Sequence, residues 1–362
     1  MALALVVVAC VPTISTGGSP TPAATADIKR SKLDIAYTAF IDLDVHHATS
    51  KAALTAMTNA LNEQARSSGG KADLPLLEYQ DVDEPQLADF KKFADAVAAW
   101  AARNPQLGPD RIADTAIAAM IRVSPDCHTS YLSRTRQVFR SRPDVSSGGS
   151  GARVPATGTQ LFGPDSSALQ AKLLADGIAY VTFGEWTMHG TYNIVDQLRA
   201  ALDKAIAAGA RAWIFDLRGN PGGNGAETVA SWFLNGEAIL KTTVKTGNAG
   251  TQSANKTLRL PPAYQLPIVV IVNGRSASAS EVFALSLKEN GRATIVGATT
   301  IGCLGAETPT AMSDGSELDV TVQEYVGAQT GAVYNNKGIP PDVAADDASA
   351  VDRAIAILKT KL

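Results

Sequence analysis

The sequence predicts an α/β protein with a helical half ahead of it, and three observations lead there. Helical periodicity dominates residues 28–132, short apolar runs alternate with amphipathic stretches from residue 171 to the end, and a Gly/Ser/Pro-rich stretch at 133–170 separates the two. The expected divisions are a signal-like segment and tether at 1–27, a helical domain at 28–132, a linker or mobile loop at 133–170 and an α/β domain at 171–362.

Residues Met1 to Cys10 form an apolar run too short to span a bilayer. Val7-Val8-Ala9-Cys10 resembles the cleavage box of a bacterial lipoprotein signal, which implies export to the cell envelope, on its periplasmic or extracellular face, with a lipid anchor at Cys10. Residues 11–26 are rich in Thr, Ser, Gly, Pro and Ala and have nothing to bury, as suits a tether.

In the helical half, Phe90, Phe93, Val97 and Trp100 recur at three- and four-residue spacing along one face. Gly108-Pro109-Asp110 starts a second such stretch, Ile112 to Ile121. After the linker, Ile178–Phe183, Ala212–Leu217 and Ile268–Val272 read as strands, and Ile194–Ala208, Gly225–Phe233 and Ser280–Glu289 as helices. Charged residues make up 19% of the chain against 45% apolar, so a packed fold is expected. The formal charge is -3 and no basic block offers a phosphate-binding surface, which excludes nucleic acid as a partner class.

Three segments carry residue types suited to chemistry. Ser276-Ala277-Ser278-Ala279-Ser280-Glu281 lies between a buried strand and a helix, where a hydroxyl faces a cleft and free N–H groups at the helix start stabilise an oxyanion; a Ser-rich helix cap is the plain alternative. Asp216-Leu217-Arg218-Gly219-Asn220-Pro221-Gly222-Gly223 ends another strand in a glycine turn with exposed amides, and Asp216 and Arg218 are placed to pair across it. Asp126-Cys127-His128-Thr129-Ser130-Tyr131-Leu132 supplies a histidine able to take and return a serine proton. His46 and His47 have no carboxylate at metal-ligand spacing, His189 reads as a loop or cleft residue, and no zinc signature or cofactor motif appears.

Together with Gly291–Gly297 and Lys337-Gly338-Ile339-Pro340-Pro341-Asp342, these segments resemble the C-terminal processing, or tail-specific, serine peptidases. The resemblance covers roughly residues 120–135 and 172–345. It implies a crotonase-like (ClpP/crotonase) α/β core of catalytic type beside the helical domain, acting on a peptide or protein substrate without a cofactor. It assigns Ser278 as nucleophile and the amides of Gly222, Gly223 and Ala279 as oxyanion hole. Many members carry a peptide-binding PDZ domain between the two segments; only 45 residues separate Leu132 from Ile178 here, too few for one.

The position of the general-base lysine in the serine-lysine branch is Cys303, 25 residues after Ser278. A branch resembling the tricorn core and the chlamydial secreted protease uses a histidine instead, which falls on His128, with its supporting glutamate near Asn335. The resemblance therefore implies a PDZ-less member closer to the serine-histidine branch, acting by acyl transfer through Ser278, His128 and Asn335. With Cys10 assigned to a lipid, Cys127 and Cys303 remain, and their positions beside the base and in the lysine slot imply a disulfide between the two halves. The alternative function is an inactive relative that binds peptides or apolar ligands.

Overall fold

Residues 31–142, 151–152, 154–163, 168–189 and 192–362 are described in the computed structural model; the signal-like segment with Cys10 and parts of the 133–170 stretch lie outside them. Four helices come first: α1 (Lys32–Leu43), α2 (Ser50–Ser67), α3 (Leu87–Ala102) and α4 (Pro109–Met120). Each buries one stripe: Tyr37, Phe40 and Ile41 on α1, Leu54, Met57 and Leu61 on α2, Phe90, Phe93, Val97 and Trp100 on α3, Ile112, Ala116 and Ile117 on α4. Thr49 caps α2 by accepting from the Ala52 amide, and Pro109 starts α4 where its missing N–H costs nothing. Burial of each large apolar side chain contributes roughly 1.5–3 kcal/mol before entropy is counted.

Strands follow, interrupted by helices. They are β1 (Ser130–Leu132), β2 (Val138–Arg140), β3 (Thr159–Phe162), β4 (Leu169–Leu173), β5 (Ile178–Phe183) and the short pair β6 (Met188–His189) and β7 (Tyr192–Asn193). Next come α5 (Ile194–Ala207), β8 (Ala212–Asp216), α6 (Ala226–Ser231), β9 (Ala238–Val244) and β10 (Gly247–Ser253). The last third holds β11 (Ile268–Val272), α7 (Ala279–Glu289), β12 (Ala293–Gly297), β13 (Gly305–Ala311), β14 (Glu317–Gly327), β15 (Val343–Ala344) and α8 (Ala350–Lys359).

Among the described residues the strands form two large sheets. The first runs in the order β15-β12-β11-β8-β5-β4-β3, parallel from β15 to β5 and antiparallel beyond. Every residue of β8 and β11 is buried, as parallel strands require when both faces are covered. Trp213, Phe215 and Val270 face α5, α6 and α7, while Ile214, Val269 and Ile271 face Ala350, Ala354 and Leu358 of α8.

The second sheet runs β10-β9-β14-β1-β2, with β13 also on β14, and all its pairings are antiparallel. Leu318 and Val320 of β14, with Tyr131 of β1 and Met312, pack against the stripes of the four helices. Residues 32–362 form one compact unit.

The expectation of a crotonase-like core is corrected by this second sheet. It draws β1 and β2 from before the first sheet and β9, β10, β13 and β14 from between its strands, and the helices rest on it. Its strands escaped the sequence reading because they lack continuous apolar runs: β10 is exposed along its whole length and β13 is Gly-Ala-Glu-Thr-Pro-Thr-Ala.

Candidate active site

Ser278 sits at the turn from β11 into α7, with φ 50 and ψ -118, a region that side-chain-bearing residues rarely occupy. The turn is held by its neighbours. Ser276 Oγ donates to Leu217 O (2.8 Å) and accepts from Asn273 N (3.0 Å); Ala277 N donates to Asn220 O (3.0 Å); Trp186 Nε1 donates to Ser280 Oγ (3.0 Å). The buried Glu281 carboxylate accepts from Ser278 N (3.0 Å), Gly302 N (2.8 Å), Cys303 N (2.7 Å) and the Thr300 hydroxyl, so it ties the serine turn to the 300–303 segment. Burial raises its pKa above the usual carboxylate range despite these four donors.

The glycine turn lies against the serine. A Cβ on Gly222 would come within 2.6 Å of Ser278 Cβ, and one on Gly223 within 1.9 Å of Trp186 O, so both positions are confined to glycine by contact as well as by positive φ. Of the three amides expected to form an oxyanion hole, that of Gly222 is already engaged. Gly222 N donates to Asn220 Oδ1 (3.0 Å), because the Asn220 side chain closes this turn onto Phe183 O of β5. Trp186 N donates to Gly222 O (2.9 Å) and accepts through its carbonyl from Asn224 N (2.7 Å), a parallel bridge that turns the amide of Gly223 itself away from Trp186. Among the described residues, the Gly223 and Ala279 amides have no hydrogen-bond acceptor. Asp216 and Arg218 pair at 2.7 Å below the turn.

His128 approaches from the other side, its Nε2 3.4 Å from Ser278 Oγ. Behind it lies Asp126, fully buried. Asp126 Oδ1 accepts from His128 N (2.8 Å) and Thr321 Oγ1 (2.7 Å) and lies 3.5 Å from His128 Nδ1; Oδ2 accepts from Asn335 Nδ2 (2.7 Å) and lies 2.9 Å from His46 Nε2. Burial alone would raise the pKa of this carboxyl, but hydrogen bonds from His128, His46 and Asn335 hold it far below the usual range, and it is ionised. Burial likewise disfavours a charged His128, yet the hydrogen bond and charge of Asp126, with Glu307 and Glu281 beyond, raise its pKa.

Asn335, expected to orient the imidazole, instead bonds to Asp126 and, through Oδ1, to Leu304 N (3.0 Å). The carboxylate nearest the ring is Asp126, a residue to which the sequence alone assigns no part. Its signal was the Asp-x-His spacing, which lets a carboxylate take the amide of the histidine that it steers. His46 had no such signal. It lies on the turn between α1 and α2 and meets Asp126 across 80 residues.

Cys127 and Cys303 are joined by a disulfide, with Cα atoms 5.7 Å apart. Asp126, Cys127 and His128 bring metal-ligand atom types within 4.8 Å of one another, but the sulfur is already bonded and offers no thiolate. His47 pairs with Asp83 on the surface, and His189 lies in β6. A cavity of about 580 Å³ opens over Ser278, lined by His128, Gly223, Ala279, the disulfide, Val282, Tyr325 and the charged residues Arg140, Glu227, Arg275 and Glu307.

Residues 177–345 match the family model Peptidase family S41. The chain is 35% identical over 153 residues to the carboxy-terminal processing protease CtpA of Bacillus subtilis, covering 41% of this chain and 32% of that one. It is 31% identical over 181 residues to the carboxyl-terminal-processing protease of Synechocystis, covering 49% and 40%. It thus spans about a third to two fifths of the length of these curated relatives. A solved lipoprotein from Streptococcus agalactiae, 17% identical, aligns with a TM-score of 0.52 over 87% of this chain and 98% of its own. The fold is therefore of the processing-peptidase type, which overturns the crotonase-like core expected from the sequence.

Proposed function

We propose that this chain, whose residues 177–345 match the model of peptidase family S41, is a serine peptidase that cleaves peptide or protein substrates by acyl transfer through Ser278 with His128 as its base. The observation that carries this is the 3.4 Å approach of His128 Nε2 to Ser278 Oγ at the floor of an open cavity. His128 Nε2 takes the hydroxyl proton as Oγ attacks the scissile carbonyl. The Gly223 and Ala279 amides stabilise the oxyanion, and the imidazolium returns its proton to the departing amine. Water, deprotonated by the same ring, then releases the acyl group and restores Ser278.

Asp126 supplies the buried negative charge that favours the imidazolium, so Asn335 acts on the base through it. The serine-histidine branch is favoured over the serine-lysine branch because the cysteine in the lysine slot is tied in a disulfide and an imidazole is within reach of the hydroxyl. That disulfide suits an exported protein, which agrees with the signal-like start and with a lipid anchor at Cys10. Among the described residues no helix is long and apolar enough to cross a membrane.

The test is labelling by a fluorophosphonate probe. Wild-type protein is expected to label at Ser278, and the Ser278→Ala and His128→Ala variants, shown folded by circular dichroism, are expected not to. A folded wild-type protein that binds peptides or apolar ligands and never labels would establish the inactive relative instead.

A further inference from the structure

The buried carboxylate at the back of the site faces two imidazoles, and the acyl-transfer scheme uses one. His46 reaches Asp126 Oδ2 at 2.9 Å, while His128 faces Oδ1. The placement of His46 is built. Its turn is bound to the site by Val45 N donating to Thr321 O (3.0 Å), by Ser124 Oγ donating to Asp44 Oδ1 (2.9 Å), and by Asp44 Oδ2 accepting from Ala48 N (2.8 Å). Thr321, whose carbonyl holds this turn, also donates its hydroxyl to Asp126 Oδ1. The Asp44 carboxylate and the Thr321 backbone thus fix the second imidazole where the base is fixed.

We infer that His46 is a positioning residue of this site, holding the Asp126 carboxylate against the His128 ring and dividing its charge between two imidazoles. This rests on the reading of Ser278 and His128 as nucleophile and base. With His46 neutral, an Nε2 proton donated to Oδ2 leaves the full charge of Asp126 to His128. With His46 protonated, part of that charge is already balanced and His128 becomes a weaker base.

The groups facing His46 are Asp126, Asp44 and Glu324, with Lys337 beside Glu324; those facing His128 are Asp126, Glu307 and Glu281. Burial lowers the pKa of His46, and the hydrogen bond and charge of Asp126, followed by Asp44 and Glu324, outweigh it and raise the pKa above the ordinary imidazole value. Two rings raised by one carboxylate titrate as a coupled pair, so removing one proton-binding partner makes the other more basic.

Two variants separate the parts of the inference. His46→Gln keeps an N–H donor for Asp126 and cannot carry charge, whereas His46→Ala removes both. Nuclear magnetic resonance of the His128 ring across pH, in a Ser278→Ala background that needs no turnover, is expected to show the His128 midpoint raised by about one pH unit in His46→Gln. With an activated ester, the acid limb of kcat/KM is expected to move up with it. His46→Ala is expected to lower the high-pH plateau of kcat by about 10- to 100-fold with KM little changed, and His46→Gln to recover about tenfold of that loss. A His46 that only held the fold would lower the unfolding temperature and leave the titration of His128 in place. An unmoved His128 midpoint in folded His46→Gln protein overturns the inference. A moved midpoint in a protein whose Ser278 never labels supports the shared charge and removes the peptidase reading instead.

Discussion

The two sides of the cleft are built by different means. On the nucleophile side, one short turn from β11 into α7 presents Ser278, and the turn itself does the positioning: the positive φ, the Gly222 contact and the bonds made by Ser276, Ala277, Trp186 and Glu281 hold it in place. On the base side, four segments far apart in sequence converge through side chains on Asp126: the Asp44–His47 turn, residues 124–128, Thr321 of β14 and Asn335. A part fixed by one turn is lost all at once, whereas one fixed by several distant segments fails by degrees.

The largest expected effect is on the nucleophile side. Ser278→Ala is expected to lower kcat by about 10⁴-fold or more with the fold intact. Ser278→Gly should be equally inactive and more stable by roughly 1 kcal/mol, because glycine accepts the positive φ without strain. An equal or lower denaturant midpoint for the glycine variant would remove the claim that the backbone is strained there.

Next comes the centre of the other side. Asp126→Asn is expected to lower kcat by about 10³- to 10⁴-fold and to move the acid limb of kcat/KM to lower pH, since the charge that raises His128 is gone. Stability follows a defined window. The depressed Asp126 contributes above its unfolded value of about 3.9 and loses that share as pH falls. The raised His46 and His128 contribute fully below about 6.5 and lose that share as pH rises through their folded values. A urea midpoint that peaks between about pH 4 and 6.5 and flattens in Asp126→Asn would match; the same profile in both proteins would contradict the assignment.

Smaller effects discriminate among the supports. Asn335→Ala is expected to cost about tenfold in kcat and roughly 1–3 kcal/mol in stability, because Leu304 N loses its acceptor and Asp126 a donor. A loss as deep as that of Asp126→Asn would mean that Asn335 acts on the ring directly. The double substitution Cys127→Ala with Cys303→Ala should change activity by a few-fold at most. It should lower stability by up to about 5 kcal/mol, the chain-entropy figure for closing a loop of this length. Loss of all activity would point to a part for Cys303 beyond holding the halves together.

How much of this was legible follows the same division. The strands at 178–183, 212–216 and 268–272 announce themselves by apolar runs, and a serine between such a strand and a helix stands out with its glycine turn. The exposed β10 and the polar β13 carry no run to find, so the second sheet, and with it the fold type, stayed hidden. That the Gly222 amide is taken by Asn220 depends on a side-chain rotamer, which spacing does not express. His46 meets Asp126 only because the α1–α2 turn docks on Thr321, a contact that joins residues 195 positions from Asp126 in one direction and 80 in the other.

The strand β14 has one more consequence, in the order of synthesis. His128 emerges from the ribosome 150 residues before Ser278, but Thr321 and Asn335 follow later still, 195 and 209 residues after Asp126. Until they arrive, the carboxylate has only part of its cradle, the helices lack Leu318 and Val320 to pack against, and β1 has no neighbour in β14. On the proposed serine-histidine reading, a nascent chain long enough to contain both the hydroxyl and the imidazole is therefore still an unarmed one until Thr321 and Asn335 are in place.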